Sequence, residues 1–446
     1  MKVNIITLGC SKNTVDSENI AGHLLAAGHQ VFFDRAANDC DAVILNTCGF
    51  IGDAKEESVN TLLQQIVNKQ NFNRRHSRDG RQRLLIAVGC LVERYRHELA
   101  PEMPEVDAWF GVHQWETLVA MFPPASPKVR SKSVHPSFSL PSQRTLSTPR
   151  HYAYLKISEG CNRQCSYCAI PLIRGRHVSR PIEELVAEAK ALVQDGVKEI
   201  ILIAQDTTYY GLDLYGRRRL GDLLNQLATQ SGAEWIRLHY TYPANFPQDA
   251  IQAISNHPNI CNYIDIPLQH ISTSVLHSMQ RGIDREGTLS LLQSFRDQLP
   301  GVSIRTTLIV GYPGESREEF EELKQFVTQA RFDRMGCFAY SPEEGTPAEA
   351  LGDPVPDEEK QNRLDELMAI QQQISLEKNL ARVGQTYKVL VDRLEGDYYV
   401  ARTEYDSPEI DDEVLIPATR RLAIGSFCRV CITQAMEHDL VARLAE

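Results

Sequence analysis

The sequence predicts an α/β protein in three parts: an N-terminal open parallel-sheet α/β domain over residues 1–121, a partial (βα)6 TIM-like barrel over 150–377, and a small antiparallel β-barrel over 378–446. Three observations carry this expectation. Apolar runs of strand length alternate with polar, helix-compatible stretches, the pattern of parallel sheets covered by helices. That alternation is interrupted once, at 122–149, by a segment rich in Pro and Ser that reads as a linker. Beyond residue 377 the helical stretches give way to short strands separated by turns.

In the first part, "VNIITLGC", "DAVILNTC" and "LLIAVGC" are strands, each followed by a helix-compatible stretch such as "TVDSENIAGHLLAAG". The second part offers six strands: "AYLKIS", "EIILIAQD", "WIRLHYTY", "YIDIPLQ", "SIRTTLIVG" and "MGCFAYS". Helical patterns such as "IEELVAEAKALVQDG" and "REEFEELKQFVTQA" lie between them, which places an active site at the C-terminal strand ends. A charged helix, "DEEKQNRLDELMAIQQQISLEKNLARV", closes the second part, and "TYKVLVDRLEGDYYVARTE", "DEVLIP" and "SFCRVCITQAMEHDLVARL" supply the strands of the last.

Composition bounds the chemistry. Of 446 residues, 42% are hydrophobic and 24% charged, as in a soluble globular protein. The longest apolar runs, such as "EIILIA", are strand-sized and fall short of the ~20 residues of a membrane span. The start, "MKVNIITLGCSKN", lacks a signal-peptide core, so the expected compartment is the cytoplasm, without a membrane. Eleven cysteines in a reducing compartment point to metal or cluster ligation ahead of disulfides. A net charge of −11 argues against broad nucleic-acid binding.

"EGCNRQCSYCAIPLIRG" places Cys161, Cys165 and Cys168 in the spacing C-x3-C-x2-C, just after the first barrel strand. A structural zinc site needs four ligands. Three thiolates suit one corner of an iron–sulfur cube whose fourth iron has no protein ligand. A zinc site with a remote fourth ligand is the alternative. Cys10, Cys48 and Cys90 are far apart in sequence, yet each ends an apolar run. In an open parallel sheet ligands bind beyond the carboxyl ends of the strands, so the three can converge on a second cluster. Gly9, Thr47, Gly49 and Gly89 beside them would admit a bulky group. Singly, each reads better as a small core residue, and it is three in matching positions that favour a cluster. Cys40, Cys261 and Cys337 read as ordinary residues in or beside strands, and Cys428 and Cys431 lie in one strand, where a separation of three puts them on opposite faces.

The C-x3-C-x2-C loop, with Tyr167 before its last cysteine, resembles that of the radical S-adenosylmethionine (SAM) enzymes. Over nearly the whole chain, "TLGCSKNTVDSE", "NTCGFI", "VGCL", "ISEGCNRQCSYCAIP", "RGRHVSRP" and "VGYPGES" resemble the methylthiotransferases. The resemblance implies two 4Fe-4S clusters: one on Cys161, Cys165 and Cys168 that binds and cleaves SAM, and an auxiliary one on Cys10, Cys48 and Cys90. It implies a TRAM-like terminal barrel for substrate recognition, and an electron donor such as flavodoxin or ferredoxin.

It leaves two branches, one modifying a tRNA adenosine and one the β-carbon of an aspartate in small-subunit ribosomal protein twelve. "AQDTTYYGLDLYG", "DIPLQH", "VLHSMQRG", "RTTLIVGYPGE" and "EYDSPEIDDEVLIP" are similar to the second. Residues 378–446 carry nine Lys and Arg against twelve Asp and Glu, and the run "SPEIDDE" reads as a face for a basic partner, the ribosomal protein or small subunit, more than for tRNA. A solvated acidic loop is the alternative. A non-catalytic zinc-binding scaffold remains the third reading. Candidate SAM contacts are Tyr167, expected to support the adenine, with Gln205, Arg305 and Gly311 at or near strand ends, and with Asp206 and Gly314 beside them. The alternative for the glycines is a turn around Pro313, and for His239 and His270 a place as hydrogen-bonded core residues. No catalytic acid or base is singled out.

Overall fold

A computed structural model describes residues 1–35, 39–124 and 144–445. They fall into two compact units: Met1–Thr148 with Glu159–Arg163 and Ala169–Arg180, and Pro149–Ser158 with Gln164–Cys168 and Pro181–Glu446. The last strands fall in the same compact unit as the second βα series. Most of the expected linker, 125–143, lies outside the described residues. Its end is anchored in the first unit, where Glu18 accepts hydrogen bonds from the Ser147 backbone at 2.7 Å and the Arg144 guanidinium at 2.8 Å.

The first unit holds a five-stranded parallel sheet of β1 (Lys2–Thr7), β2 (Gln30–Phe33), β3 (Ala42–Thr47), β4 (Leu84–Gly89) and β5 (Ala108–Phe110), in the order β2-β1-β3-β4-β5. The two edge strands, β2 and β5, escape the sequence reading because they are short and half-buried. The period of two is visible in the core. Val3, Ile5, Ile44, Ile86 and Val88 face α1 (Ser11–Ala26) and a short helix at Trp115–Ala120, whereas Val43, Leu45, Leu85 and Ala87 face α2 (Gly52–Arg75) and α3 (Cys90–Glu102). Sheet order reverses direction between β1 and β3, and such a switch point opens a crevice at the carboxyl strand ends.

The second unit contains the six expected parallel strands: β6 (Tyr152–Lys156), β7 (Glu199–Ile203), β8 (Trp235–Leu238), β9 (Tyr263–Asp265), β10 (Ser303–Val310) and β11 (Arg334–Ala339). They pair as two three-stranded sheets joined by one bridge, Ile236 to Ile260. Five further strands, β12 (Thr386–Glu395), β13 (Tyr398–Thr403), β14 (Glu413–Pro417), β15 (Phe427–Ala435) and β16 (Asp439–Leu444), close a small barrel over Val389, Val391, Val414, Ile416, Val430 and Leu440. One of its pairs, β14 with β16, is parallel where an all-antiparallel barrel was expected.

Two acids of the run, Asp411 and Asp412, turn inward. Between β13 and β14 the chain turns onto residues in the early part of β6 to β11. Arg334 pairs with Asp406 at 2.5 Å and Asp412 at 3.1 Å, and Arg305 and the Tyr263 hydroxyl donate to Asp411 at 3.2 and 2.7 Å. The Tyr152 hydroxyl donates to Glu409, and Arg237 to the Glu404 carbonyl. Buried Glu199 holds both Arg237 and Arg402, at 2.7 and 2.8 Å. These strand starts carry Arg, Tyr and Glu, which need counter-charges and acceptors once out of water, and the acidic loop supplies them. The sequence shows the charges but not their pairing, so the reading of "SPEIDDE" as a binding face is corrected: Asp411 and Asp412 are internal, and only Glu413 of "DDE" pairs on the surface, with Arg393.

Candidate metal centres

The first unit brings Cys10, Cys48 and Cys90 to the ends of three adjacent strands, as expected. Cys10 follows β1 at the start of α1, Cys48 follows β3, and Cys90 opens α3 after β4. Cys10 is exposed, the other two buried. Their loops are fixed by polar groups on all sides. The Ser58 hydroxyl donates to the Cys48 carbonyl and accepts from its N–H, at 2.8 and 3.0 Å. Asn13 donates to the Leu8 and Thr47 carbonyls, and Thr47 to the Val88 carbonyl. At Gly9, with φ +90°, an added Cβ would stand 2.8 Å from the Cys48 sulfur. Burial pushes the Cys90 thiol up to about 12, with Arg174 acting in the other direction, and burial also raises Cys48.

Arg174 is the side chain the sequence reading missed here. It ends the short helix Ile170–Arg174 and donates to Asn13 Oδ1 at 2.6 Å and to the Cys90 sulfur at 3.5 Å. Asp16 and Glu159 pair with it at 2.9 and 3.0 Å. A lone charge after the apolar "AIPLI" is the only sequence signal for it.

Of the second triad, Cys161 lies in the first unit, its N–H bonded to the Gly175 carbonyl at 3.0 Å. Cys165 and Cys168 lie in the second. There the Ser166 hydroxyl donates to the Ser278 carbonyl at 2.8 Å and meets the Tyr312 hydroxyl at 2.9 Å, tying the loop to residues beyond β9 and β10. Cys165, Cys168, Tyr167, Tyr242, Ala244 and Ile283 form one packed cluster. Arg281, also missed, donates to the Cys165 sulfur at 3.3 Å and the Tyr167 hydroxyl at 3.2 Å, and lies over the Tyr242 ring. A cavity of about 1080 Å³ opens alongside, lined by Ala244, Asn245, His277, Gln280 and Ile283 among others.

The candidate SAM contacts divide. Tyr167 packs on Tyr312, Tyr340 and Met279 beside Cys168. Gln205 and Asp206 follow β7, and Asp206 caps the turn Thr207–Tyr209 by accepting from Thr208 at 2.9 Å. Gly311 follows β10 with φ +73°; its N–H donates to buried Glu315, and an added Cβ would meet Lys360 at 2.4 Å, so packing alone requires glycine there. Arg305 does not join them. It sits early in β10, held by Asp411 and Asp265, and this pairing corrects its placement as a SAM contact. His239 meets Ser407 and His270 accepts from the Ser272 N–H, as hydrogen-bonded core residues do.

Thiolate is the ligand an iron–sulfur cluster takes. Among the described residues no three His, Cys, Asp or Glu groups gather as ligands of a single metal ion. A cubane does not ask for that, since each thiolate takes its own iron. The first set has strand ends with a glycine cradle. Cys165 has a cation at its sulfur, and Ala244 and Ile283, packed in the same cluster, line the cavity.

Comparison with known proteins decides the family. The chain matches the uncharacterized protein family UPF0004 over residues 2–111, the radical SAM superfamily over 155–327 and the TRAM domain over 383–445. It is 50% identical over 444 residues to the ribosomal protein uS12 methylthiotransferase RimO of Phocaeicola vulgatus, covering 99% of both chains. To the protein of that name in Flavobacterium psychrophilum it is 51% identical over 440 residues, covering 98% of this chain and 97% of the other. The chain belongs to the RimO methylthiotransferase family.

As a radical SAM methylthiotransferase it is a transferase that uses S-adenosylmethionine and a 4Fe-4S cluster. Among solved structures, the radical SAM methyltransferase TsrM from Kitasatospora setae shares the fold, with a TM-score of 0.56 at 13% identity over 95% of this chain and 80% of that one. The cobalamin-dependent radical enzyme OxsB gives 0.51 at 10% identity, over 82% and 56%. The RimO family thus places three matched segments on the parallel sheet, the partial barrel and the small closed barrel. Among the described residues no helix is long and apolar enough to cross a membrane.

Proposed function

We propose that this chain places a methylthio group on the β-carbon of an aspartate in ribosomal protein uS12, in the cytoplasm, with two 4Fe-4S clusters and two molecules of SAM. The observation that carries the reading is the pair of separate three-thiol sets in a chain half identical, end to end, to proteins named for that reaction. Cys161, Cys165 and Cys168 would hold the cluster that binds SAM, and Cys10, Cys48 and Cys90 the auxiliary one. When bound, these groups supply one-electron cleavage of SAM and the sulfur-bearing methyl group.

The chain's own residues bind, orient and exclude water. Ser166 pins the cysteine loop to Ser278 and Tyr312, which holds the Cys165 thiol where Arg281 reaches it. Tyr167 is walled in by Tyr312, Tyr340 and Met279, so one side of the loop is dry. Glu315 shapes the turn at Gly311 and is itself held by Arg363 at 2.7 Å, which ties the loop to the helix Asp357–Leu380. Ser58 and Asn13 do the equivalent work around Cys48 and Cys90. A flavodoxin- or ferredoxin-like donor would supply the electron.

Asp411 and Asp412 are engaged internally, and the sequence relationship supports uS12. Anaerobic turnover of the reconstituted protein with uS12 and, separately, with tRNA tests it. Mass spectrometry should find one added methylthio group on an aspartate of uS12. Methylthiolation of tRNA with uS12 unchanged would overturn the reading.

A further inference from the structure

Each thiol set has one buried arginine whose guanidinium donates to a cysteine sulfur: Arg174 to Cys90 and Arg281 to Cys165. Their surroundings differ in charge. Arg174 is flanked by two carboxylates, Asp16 and Glu159, so these three side chains together carry one negative charge. Arg281 has none. Its partners are the Cys165 sulfur, the Tyr167 hydroxyl and the Pro267 carbonyl, with the Tyr242 face 4.2 Å from the guanidinium carbon, and its Nε–H has no hydrogen-bond partner among the described residues. It is 3% exposed. An isolated buried cation is costly unless something nearby carries negative charge. The thiolate-ligated cluster would provide it.

We propose that Arg281 is a positioning residue that acts through Cys165 to raise the reduction potential of the cluster at the SAM-binding loop. This rests on the proposed function. The step is a one-electron reduction. One electron arrives from a low-potential one-electron donor, the cluster becomes more negative by one charge, and no bond to Arg281 forms or breaks. A hydrogen bond to a ligand sulfur and an uncompensated positive charge in a dry site both favour the more negative state, and cluster potentials respond to both. At the N-terminal set Asp16 and Glu159 offset the same hydrogen bond, so the chain biases the incoming electron toward the loop that cleaves SAM.

The test is an EPR-monitored redox titration of the full-length, reconstituted chain, with iron and sulfide counted beforehand. The signal that changes when SAM is added identifies the loop cluster. In Arg281→Gln its reduction should become at least tenfold less favourable, a midpoint lowered by about 59 mV or more, with the other cluster unmoved. Arg281→Lys, which keeps the charge and loses the planar fork, should retain most of the wild-type potential. A purely structural role predicts that Lys fails as badly as Gln. An unchanged midpoint in Arg281→Gln, equal shifts in both variants, or loss of the loop cluster from both, would overturn the proposal. Failure of the underlying reading looks different: the wild type itself would hold iron for fewer than two clusters.

Discussion

The two ends of the partial barrel treat charge in opposite ways. Around the starts of β6 to β11, cations and anions are buried together: Arg237 and Arg402 on Glu199, Arg334 on Asp406 and Asp412, Arg305 on Asp411. Beyond the strand ends a buried cation, Arg281, faces a thiol, and its neighbours Gln280 and Gly282 line a cavity. The first arrangement joins the small barrel to the larger one, because the acids come from the loop between β13 and β14. The second leaves a charge to be completed by whatever binds. The lesson is that buried charge marks a site where it lacks a partner, and marks an internal joint where it is paired.

Substitutions at the two ends should therefore fail in different ways. The largest effect is expected at the thiols. Replacing Cys161, Cys165 and Cys168 together with Ala should abolish formation of 5′-deoxyadenosine from SAM, while iron bound by Cys10, Cys48 and Cys90 remains. Product chromatography and iron analysis check this, and loss of all iron would show that the two sets do not act independently.

Next comes Arg334→Ala at the paired end. It leaves Asp406 and Asp412 buried without their shared cation and should cost about 3–5 kcal/mol of stability. Denaturant unfolding measures it. SAM cleavage per folded molecule should stay near wild type, because Arg334 starts β11, remote along the strand from its active end.

A third, smaller effect depends on pH. Burial raises the Asp412 carboxyl to about 7, with Arg334 opposing and Asp406 adding to the rise. Its folded pKa lies above its unfolded one, so between the two the folded state holds the extra proton. Stability from this group is present at low pH and falls as pH rises toward 7. Asp406 has the opposite sign: burial pushes it up, Arg334 and Arg382 more than offset this, and its contribution is lost as pH falls. Asp412→Asn should thus gain stability relative to wild type between pH 5 and pH 8, by about 1–3 kcal/mol. Melting temperatures at several pH values decide it, and parallel curves for the two proteins would remove Asp412 as the titrating group.

The contrast between the two ends also explains what could be read from sequence. Cys10, Cys48 and Cys90 are legible because each terminates an apolar run, and strand ends in a parallel sheet converge whatever lies between them. All six barrel strands are legible for the same reason of pattern. Arg281 and Arg174 are not, because each reaches its thiol from a helix or turn distant in sequence, and nothing local shows where its side chain points. Arg305 and the "SPEIDDE" run are misread for a complementary reason. Counting charges treats every carboxylate as solvated, and only the fold reveals that Asp411 and Arg305 neutralise each other.

The smallest effect belongs to the acid of "DDE" that faces water. Glu413 meets Arg393 at 2.7 Å, but the two side chains are 30% and 46% exposed. Exposed pairs gain little Coulomb energy in high dielectric and lose side-chain freedom, so Glu413→Ala should cost no more than about 1 kcal/mol. Added salt should shrink even that, since the pair lies within reach of screening ions. Asp411→Ala differs from it only by two positions along the chain, yet it strands the Tyr263 hydroxyl, leaves Arg305 with Asp265 alone and should cost several-fold more. Measuring the two side by side at low and high salt separates the readings. If Glu413→Ala proved the more damaging, or if Asp411→Ala lost its effect in salt, the acidic loop would be acting as a solvated face and not as an internal joint.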